Sequence, residues 1–238
     1  MEQVLKLPIL DLSSPDRSSI ANCLRQACIE YGFFYVVNHG VEEELIEQVL
    51  DESSKFFSLP SEEKMKLLRK GSAGKRLLSL VALALNLNED FFETTGALDR
   101  PTAVLRPLHY PAGEFGSSDE EILGASAHSD YGMVTLLICR EKSKQPLVWE
   151  DVPHINGAFI VNIGDMMERW TNCLFRSTLH RVIPCGQERY SLAFFLDPNE
   201  DCVVECIESC CNESSPPRFP PIRSGDYLKE RLRLIWGS

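Results

Sequence analysis

No run of about eighteen consecutive apolar residues occurs in this sequence, which leaves no candidate for a membrane-spanning helix. The opening residues, MEQVLKLPIL, lack a basic segment followed by an apolar one, so a secretory leader is not expected. A basic excess is missing as well: 24 Lys and Arg stand against 35 Asp and Glu, a net charge of −11. Proteins that grip a phosphate backbone carry a basic stripe, so nucleic acid is not an expected partner. Internal repeats and low-complexity stretches are absent too. The nine cysteines are odd in number and follow no regular spacing, and without a leader they read as reduced thiols of a cytoplasmic protein. Cys202, Cys206, Cys210 and Cys211 cluster near the end. They contain no Cys-x-x-Cys pair with a matching partner, and no zinc is assigned to them. Histidine is scarce, five in 238 residues, so each can be weighed by itself.

What is present describes an ordinary globular protein, 44% hydrophobic and 25% charged. LPILDLSS predicts a short strand ended by Ser-Ser-Pro. Ile20, Leu24, Ala27, Cys28 and Tyr31 then recur at helical spacing until Gly32 stops the helix. FFYVVN predicts a buried strand, and a second helix begins near Glu42. LPSEEKMKLL starts a third, and RLLSLVALALNLNEDFFE resumes as a strongly apolar helix. From about Val104 short β-type runs take over: AVLRPLHY, MVTLLIC, LVWED, AFIVNI, YSLAFFL and CVVEC, parted by Gly, Pro and Asn turns. A Pro-rich loop and a short helix close the chain. The expected fold class is α+β with a mainly β core, a helical first portion packed on a sandwich or jelly roll. Its two parts are residues 1–100 and 101–238, forming one compact unit.

The chemistry centres on GASAHSDYGMVTLL. On a strand, side chains at i and i+2 share a face, so His128 and Asp130 can reach one ion. His180, in the β-type run RSTLHRV, is the best candidate for a third ligand. Two imidazoles and a carboxylate that leave open positions suit non-haem Fe(II), which needs vacancies for oxygen and a co-substrate. His39, in a turn, and His154, in a loop, read as ordinary surface or capping histidines. Past His180, the stretch RYS places Arg189 and Ser191 again at i and i+2. A guanidinium fork beside a hydroxyl is a suitable clamp for a carboxylate, because arginine binds it through two donors and stays charged.

AHSDYGMVTLL, GAFIVNIGDMMERWTNCLFRSTLHRV and ERYSLAFFLDPN resemble the core of the plant-type iron(II)- and 2-oxoglutarate-dependent dioxygenases, the isopenicillin N synthase-like superfamily. LPILDLSS, YGFFYVVNHGVEEELIEQV and FFSLPSEEKMKL resemble that family's helical cap, and the motifs occur in the family's order. The resemblance implies a double-stranded β-helix (jelly roll). It makes His128, Asp130 and His180 the iron ligands, with Arg189 and Ser191 holding the distal carboxylate of 2-oxoglutarate. It adds Tyr110, in LHYPAG, as a residue touching the co-substrate; where the family often has Asn two positions earlier, Leu108 stands. The implied activity is oxidation of a small organic substrate, by hydroxylation or desaturation, with release of succinate and CO2. The cofactors are Fe(II) and the co-substrate 2-oxoglutarate, with ascorbate as a candidate reductant. The partners are the substrate and molecular oxygen, and a monomer with no membrane contact is expected. Two alternatives stay open: an oxidase of the same fold that uses no 2-oxoglutarate, and a trimmed, catalytically impaired binding protein. NIGD, Asn162 to Asp165, reads as a structural turn with no catalytic role.

The sequence departs from the family at two joins. KMKLLRK runs almost at once into GSAGKRLL near residues 70–75, and Leu137 passes directly into Ile138. Losing a strand from a closed sheet exposes an edge and unmatched backbone groups. Omitted residues, rather than covalent junctions, are therefore the favoured expectation at both joins.

Overall fold

The computed structural model describes residues 7–58, 73–112, 124–140, 152, 155, 157–183 and 188–236. Strand β1 (Ile9–Asp11) leads to helix α1 (Arg17–Glu30), which starts where the Asp16 side chain accepts from the Ser19 amide. The helix buries Ala21, Leu24, Ala27 and Cys28 on one face and ends at Gly32, whose φ of 69° side chains rarely adopt. β2 (Phe33–Val37), α2 (Glu43–Ser58), α3 (Ala73–Ala84) and the single turn α4 (Phe91–Thr94) follow. The second part contains β3 (Thr102–Tyr110), β4 (Ala125–His128), β5 (Val134–Arg140), β6 (Phe159–Ile163), α5 (Asp165–Trp170), β7 (His180–Val182) and β8 (Arg189–Asp197). β9 (Val203–Val204), β10 (Ile222–Arg223) and α6 (Ser224–Trp236) finish the chain. No described helix is long and apolar enough to cross a membrane.

Six strands form the main sheet in the order β1-β2-β6-β5-β8-β3. β1 and β2 pair in parallel, and the other pairs are antiparallel. Strands from the expected helical cap thus extend the sheet of the β core. One face of this sheet carries Phe34, Val36, Val134, Leu136, Val161 and Leu196, which join Leu24, Leu77 and Val81 of the helices in one core cluster. Burying each such side chain contributes about 1.5–3 kcal/mol. That face is closed by helices. The opposite face carries Tyr35, Thr135, Asn162, Ile160 and Ser191, and against it lies a second sheet in which β4 pairs with β7.

Two expectations are refined here. β5 runs across Leu137 and Ile138, and both residues keep their register with β8, as Leu137↔Ala193 and Ile138↔Leu192. Of the two roles expected for His39, surface or capping, the structure shows capping: it is 5% exposed, with Nε2 3.0 Å from the Gly157 carbonyl and Nδ1 accepting from the Val41 amide at 3.2 Å. Its neutral ring closes the NHG turn, and burial, the largest influence, lowers its pKa below the ordinary 6.5. The single helix expected over RLLSLVALALNLNEDFFE is two, because Asn86 takes a left-handed φ of 60° between α3 and α4. The expected third helix at LPSEEKMKLL, the strand LVWED, His154 and part of the join near residue 70 lie outside the described residues.

Candidate metal centre

β4 and β7 are neighbours, and their register sets His128 directly opposite His180. The two imidazoles lie 4.4 Å apart, centroid to centroid. Asp130 follows β4 in the turn toward β5 and is buried, at 8% exposure. Its Oδ1 is 3.6 Å from His128 Nε2 and 3.8 Å from His180 Nε2, and one ligand atom from each residue lies within 4.8 Å of the others. Among the described residues this is the one such group, so Cys202, Cys206, Cys210 and Cys211 do not assemble a second. Eight cysteines are free thiols in the described residues.

The surroundings fix which atoms face inward. His128 Nδ1 is 2.7 Å from the Ser126 carbonyl and His180 Nδ1 is 3.0 Å from that of Thr178. A carbonyl can only accept, so each Nδ1 carries the proton and each Nε2 presents its lone pair. Asp130 Oδ2 accepts from Thr135 Oγ1 at 2.6 Å and from Asn162 Nδ2 at 2.8 Å. Oδ1 is thereby left to face the two imidazoles. Three oriented lone pairs of this N,N,O composition fit a divalent transition metal with open positions.

Asn162 and Thr135 are partners of Asp130 that sequence reasoning missed. NIGD reads as a turn, and Thr135 looks like any β-branched strand residue. Only the register Thr135↔Asn162 between β5 and β6 shows that both reach Asp130. The last residue of that motif, Asp165, has a second task. Its carboxylate accepts from Ser129 Oγ (3.2 Å), Ser177 Oγ (2.6 Å) and Arg231 Nη2 (2.8 Å), and its amide donates to the Asp130 carbonyl (2.7 Å). One side chain thus ties the His128–Asp130 turn, the lead-in to His180 and the C-terminal helix together. Gly164 enables this approach, since a Cβ there would collide with the Gly132 carbonyl. At the end of β8, burial and then the charge of Asp130 push the Asp197 carboxyl up to about 6.

The expected carboxylate clamp lies on the same inner face. Arg189 pairs with Tyr110 across β8 and β3, its guanidinium 4.2 Å from the centre of the Tyr110 ring. Ser191 is 2% exposed and sits between Leu108 on β3 and Cys139 on β5. His128, Asp130 and His180 therefore converge at one point, and Arg189, Ser191 and Tyr110 share the sheet face that carries Thr135, the partner of Asp130.

Comparison with known proteins agrees with this geometry. Residues 7–82 match a family described as non-haem dioxygenase in morphine synthesis N-terminal, and residues 101–198 match the 2OG-Fe(II) oxygenase superfamily. Kihadalactone A synthase LFS of Citrus sinensis is 35% identical over 314 residues, spanning 98% of this chain and 93% of its own length. Azadirone synthase LFS of Melia azedarach is 30% identical, spanning 99% and 94%. A full-length Neurospora crassa protein, solved in complex with alpha-KG and 5-formyluracil, superposes with a TM-score of 0.84 at 24% identity, over 98% of this chain and 97% of that one. The 314-residue alignments exceed this chain's 238 residues by at least 76, so the plant relatives carry internal segments that it lacks.

Proposed function

The chain belongs to the 2OG-Fe(II) oxygenase superfamily, and from that premise we propose the roles of its site residues. It is a non-haem iron- and 2-oxoglutarate-dependent dioxygenase with a double-stranded β-helix core, acting with oxygen on a small organic molecule. His128, Asp130 and His180 hold the ferrous ion; the observation that carries this is Asp130, whose Oδ2 is tied to Thr135 and Asn162 while Oδ1 faces both Nε2 atoms. Arg189, with Ser191 and Tyr110, receives the distal carboxylate of 2-oxoglutarate.

Iron and 2-oxoglutarate, when bound, supply the oxidation of the substrate by dioxygen, with the co-substrate converted to succinate and CO2. The protein's residues do the rest. The Ser126 and Thr178 carbonyls hold both imidazoles in the tautomer that offers Nε2. Arg189 would hold and orient the co-substrate carboxylate through its guanidinium fork, with the Tyr110 ring packed on that guanidinium. The free thiols support a reducing compartment such as the cytoplasm, and a monomer is the simplest assembly for such a site.

The Arg189–Ser191 pair favours 2-oxoglutarate use over the oxidase reading, and succinate formation separates the two. His128→Ala and Asp130→Ala, each purified and assayed for Mn(II) binding and succinate, are expected to lose both. Wild-type metal binding in either variant overturns the ligand assignment.

A further inference from the structure

We propose that Arg106 is the substrate-recognising cation of this enzyme, and that the substrate joins an apolar body to a carboxylate or equivalent anion. The inference rests on the iron and co-substrate reading above. β3 and β8 pair without interruption from Thr102↔Asp197 to Tyr110↔Arg189, and β8 pairs likewise with β5. Paired residues put their side chains on the same face, and alternate residues along a strand return to it. Two contacts identify the inner face independently: Thr135 reaches Asp130, and the Tyr110 ring lies against Gly124, which leads into β4, where a Cβ would stand 2.7 Å from it. Stepping by two from Tyr110 along β3, that face carries Leu108, Arg106 and Val104.

Register then gives the level of each. Leu108 stands opposite Ser191, and Val104 opposite Phe195, which in turn pairs with Thr135 beside Asp130. Arg106, opposite Ala193, is thus one step from the co-substrate clamp and one step from the metal level, about 7 Å each way.

Arg106 is exposed and makes no hydrogen bond or ion pair among the described residues. Elsewhere Arg17, Arg223 and Arg231 all have carboxylate partners, in a chain with 35 acidic residues against 24 basic. On the inner face Asp130 is committed to the metal, and Asp197 is two steps away, about 13 Å. Apolar Leu108 and the 38% exposed Val104 flank the guanidinium. A guanidinium fork between apolar walls, at the mouth of an oxidising site, recognises an anion attached to an apolar body.

Ligand-observed NMR titrations with 2-naphthoate and its neutral counterpart 2-naphthalenemethanol test this. The full chain is loaded with Mn(II) and saturating 2-oxoglutarate, so that the Arg189 clamp is filled. Wild type is expected to bind the naphthoate at least about tenfold more tightly than the alcohol, the discrimination of one charge-assisted pair. Arg106→Gln is expected to bring the two within about twofold, and Arg106→Lys to retain part of the preference. No naphthoate binding, equal affinities in wild type, or a preference that survives Arg106→Gln each overturn the proposal. Failure of wild type to take up Mn(II) and 2-oxoglutarate instead removes the underlying site reading, and this inference with it.

Discussion

Replacing Asn162 by leucine, similar in volume but without donors, removes one of two hydrogen bonds to Asp130 Oδ2 and touches no proposed ligand. A hydrogen bond to a charged group contributes about 1.5–3 kcal/mol. Part of that loss falls equally on the metal-free and metal-bound states and cancels in the binding constant. What does not cancel is orientation. With Thr135 alone on Oδ2, the carboxylate rotates in the metal-free protein and must be re-ordered when the ion enters. Outer partners of metal ligands alter affinity by about 10–100-fold, and partial cancellation places Asn162→Leu near the lower bound, about 1.4 kcal/mol. Calorimetric titration with Mn(II) measures this directly, and thermal unfolding with and without the ion measures the share that cancels. Thr135→Val is expected to behave alike. The double variant is expected to lose more than the sum of the two, because both donors serve one oxygen. Wild-type Mn(II) affinity in Asn162→Leu, with equal loss of Tm in both states, refutes the reasoning.

Three further outcomes are expected. Arg189→Gln should weaken 2-oxoglutarate binding by roughly tenfold to a hundredfold, with Arg189→Lys between the two, as read by titration of the Mn(II)-loaded protein. Arg231→Met should cost about 1 kcal/mol of stability, since the partly buried Asp165 keeps its two serine donors, and should lower Mn(II) affinity a few-fold by loosening the turns that carry Asp130 and His180. Burial of the neutral His39 lowers its pKa, so its contribution to stability is complete above about 6.5 and is lost as pH falls through the depressed folded value. Urea midpoints of wild type should therefore drop more on acidification from pH 7.5 to 5 than those of His39→Gln, and parallel curves would contradict that.

Close spacing makes His128 and Asp130 readable together in the sequence, although Asp130 follows β4 in a turn instead of continuing the strand; strand alternation itself joins Arg189 and Ser191. Spacing of this kind is local, so the register of β4 with β7 and of β3 with β8 only has to bring the two halves together. Asn162, Thr135 and Asp165 are not readable in that way. Their roles depend on which strands lie side by side, and a Thr in a β-run or a Gly-Asp turn has a sufficient local explanation. His39 shows the same limit: its burial comes from Gly157 and Phe159, far along the chain. Nor does the sequence show how the strand across Leu137 is covered: β5 pairs along its length with β8 and over Val134–Leu137 with β6.

Anaerobic addition of Fe(II) and then 2-oxoglutarate to the purified chain tests the central claim most directly. The expected result is one ferrous ion per chain and the visible charge-transfer band of a 2-oxoglutarate chelate on iron, absent in Asp130→Ala, with succinate formed on admission of oxygen. Iron that fails to bind wild type, or a band unchanged in Asp130→Ala, would contradict the account.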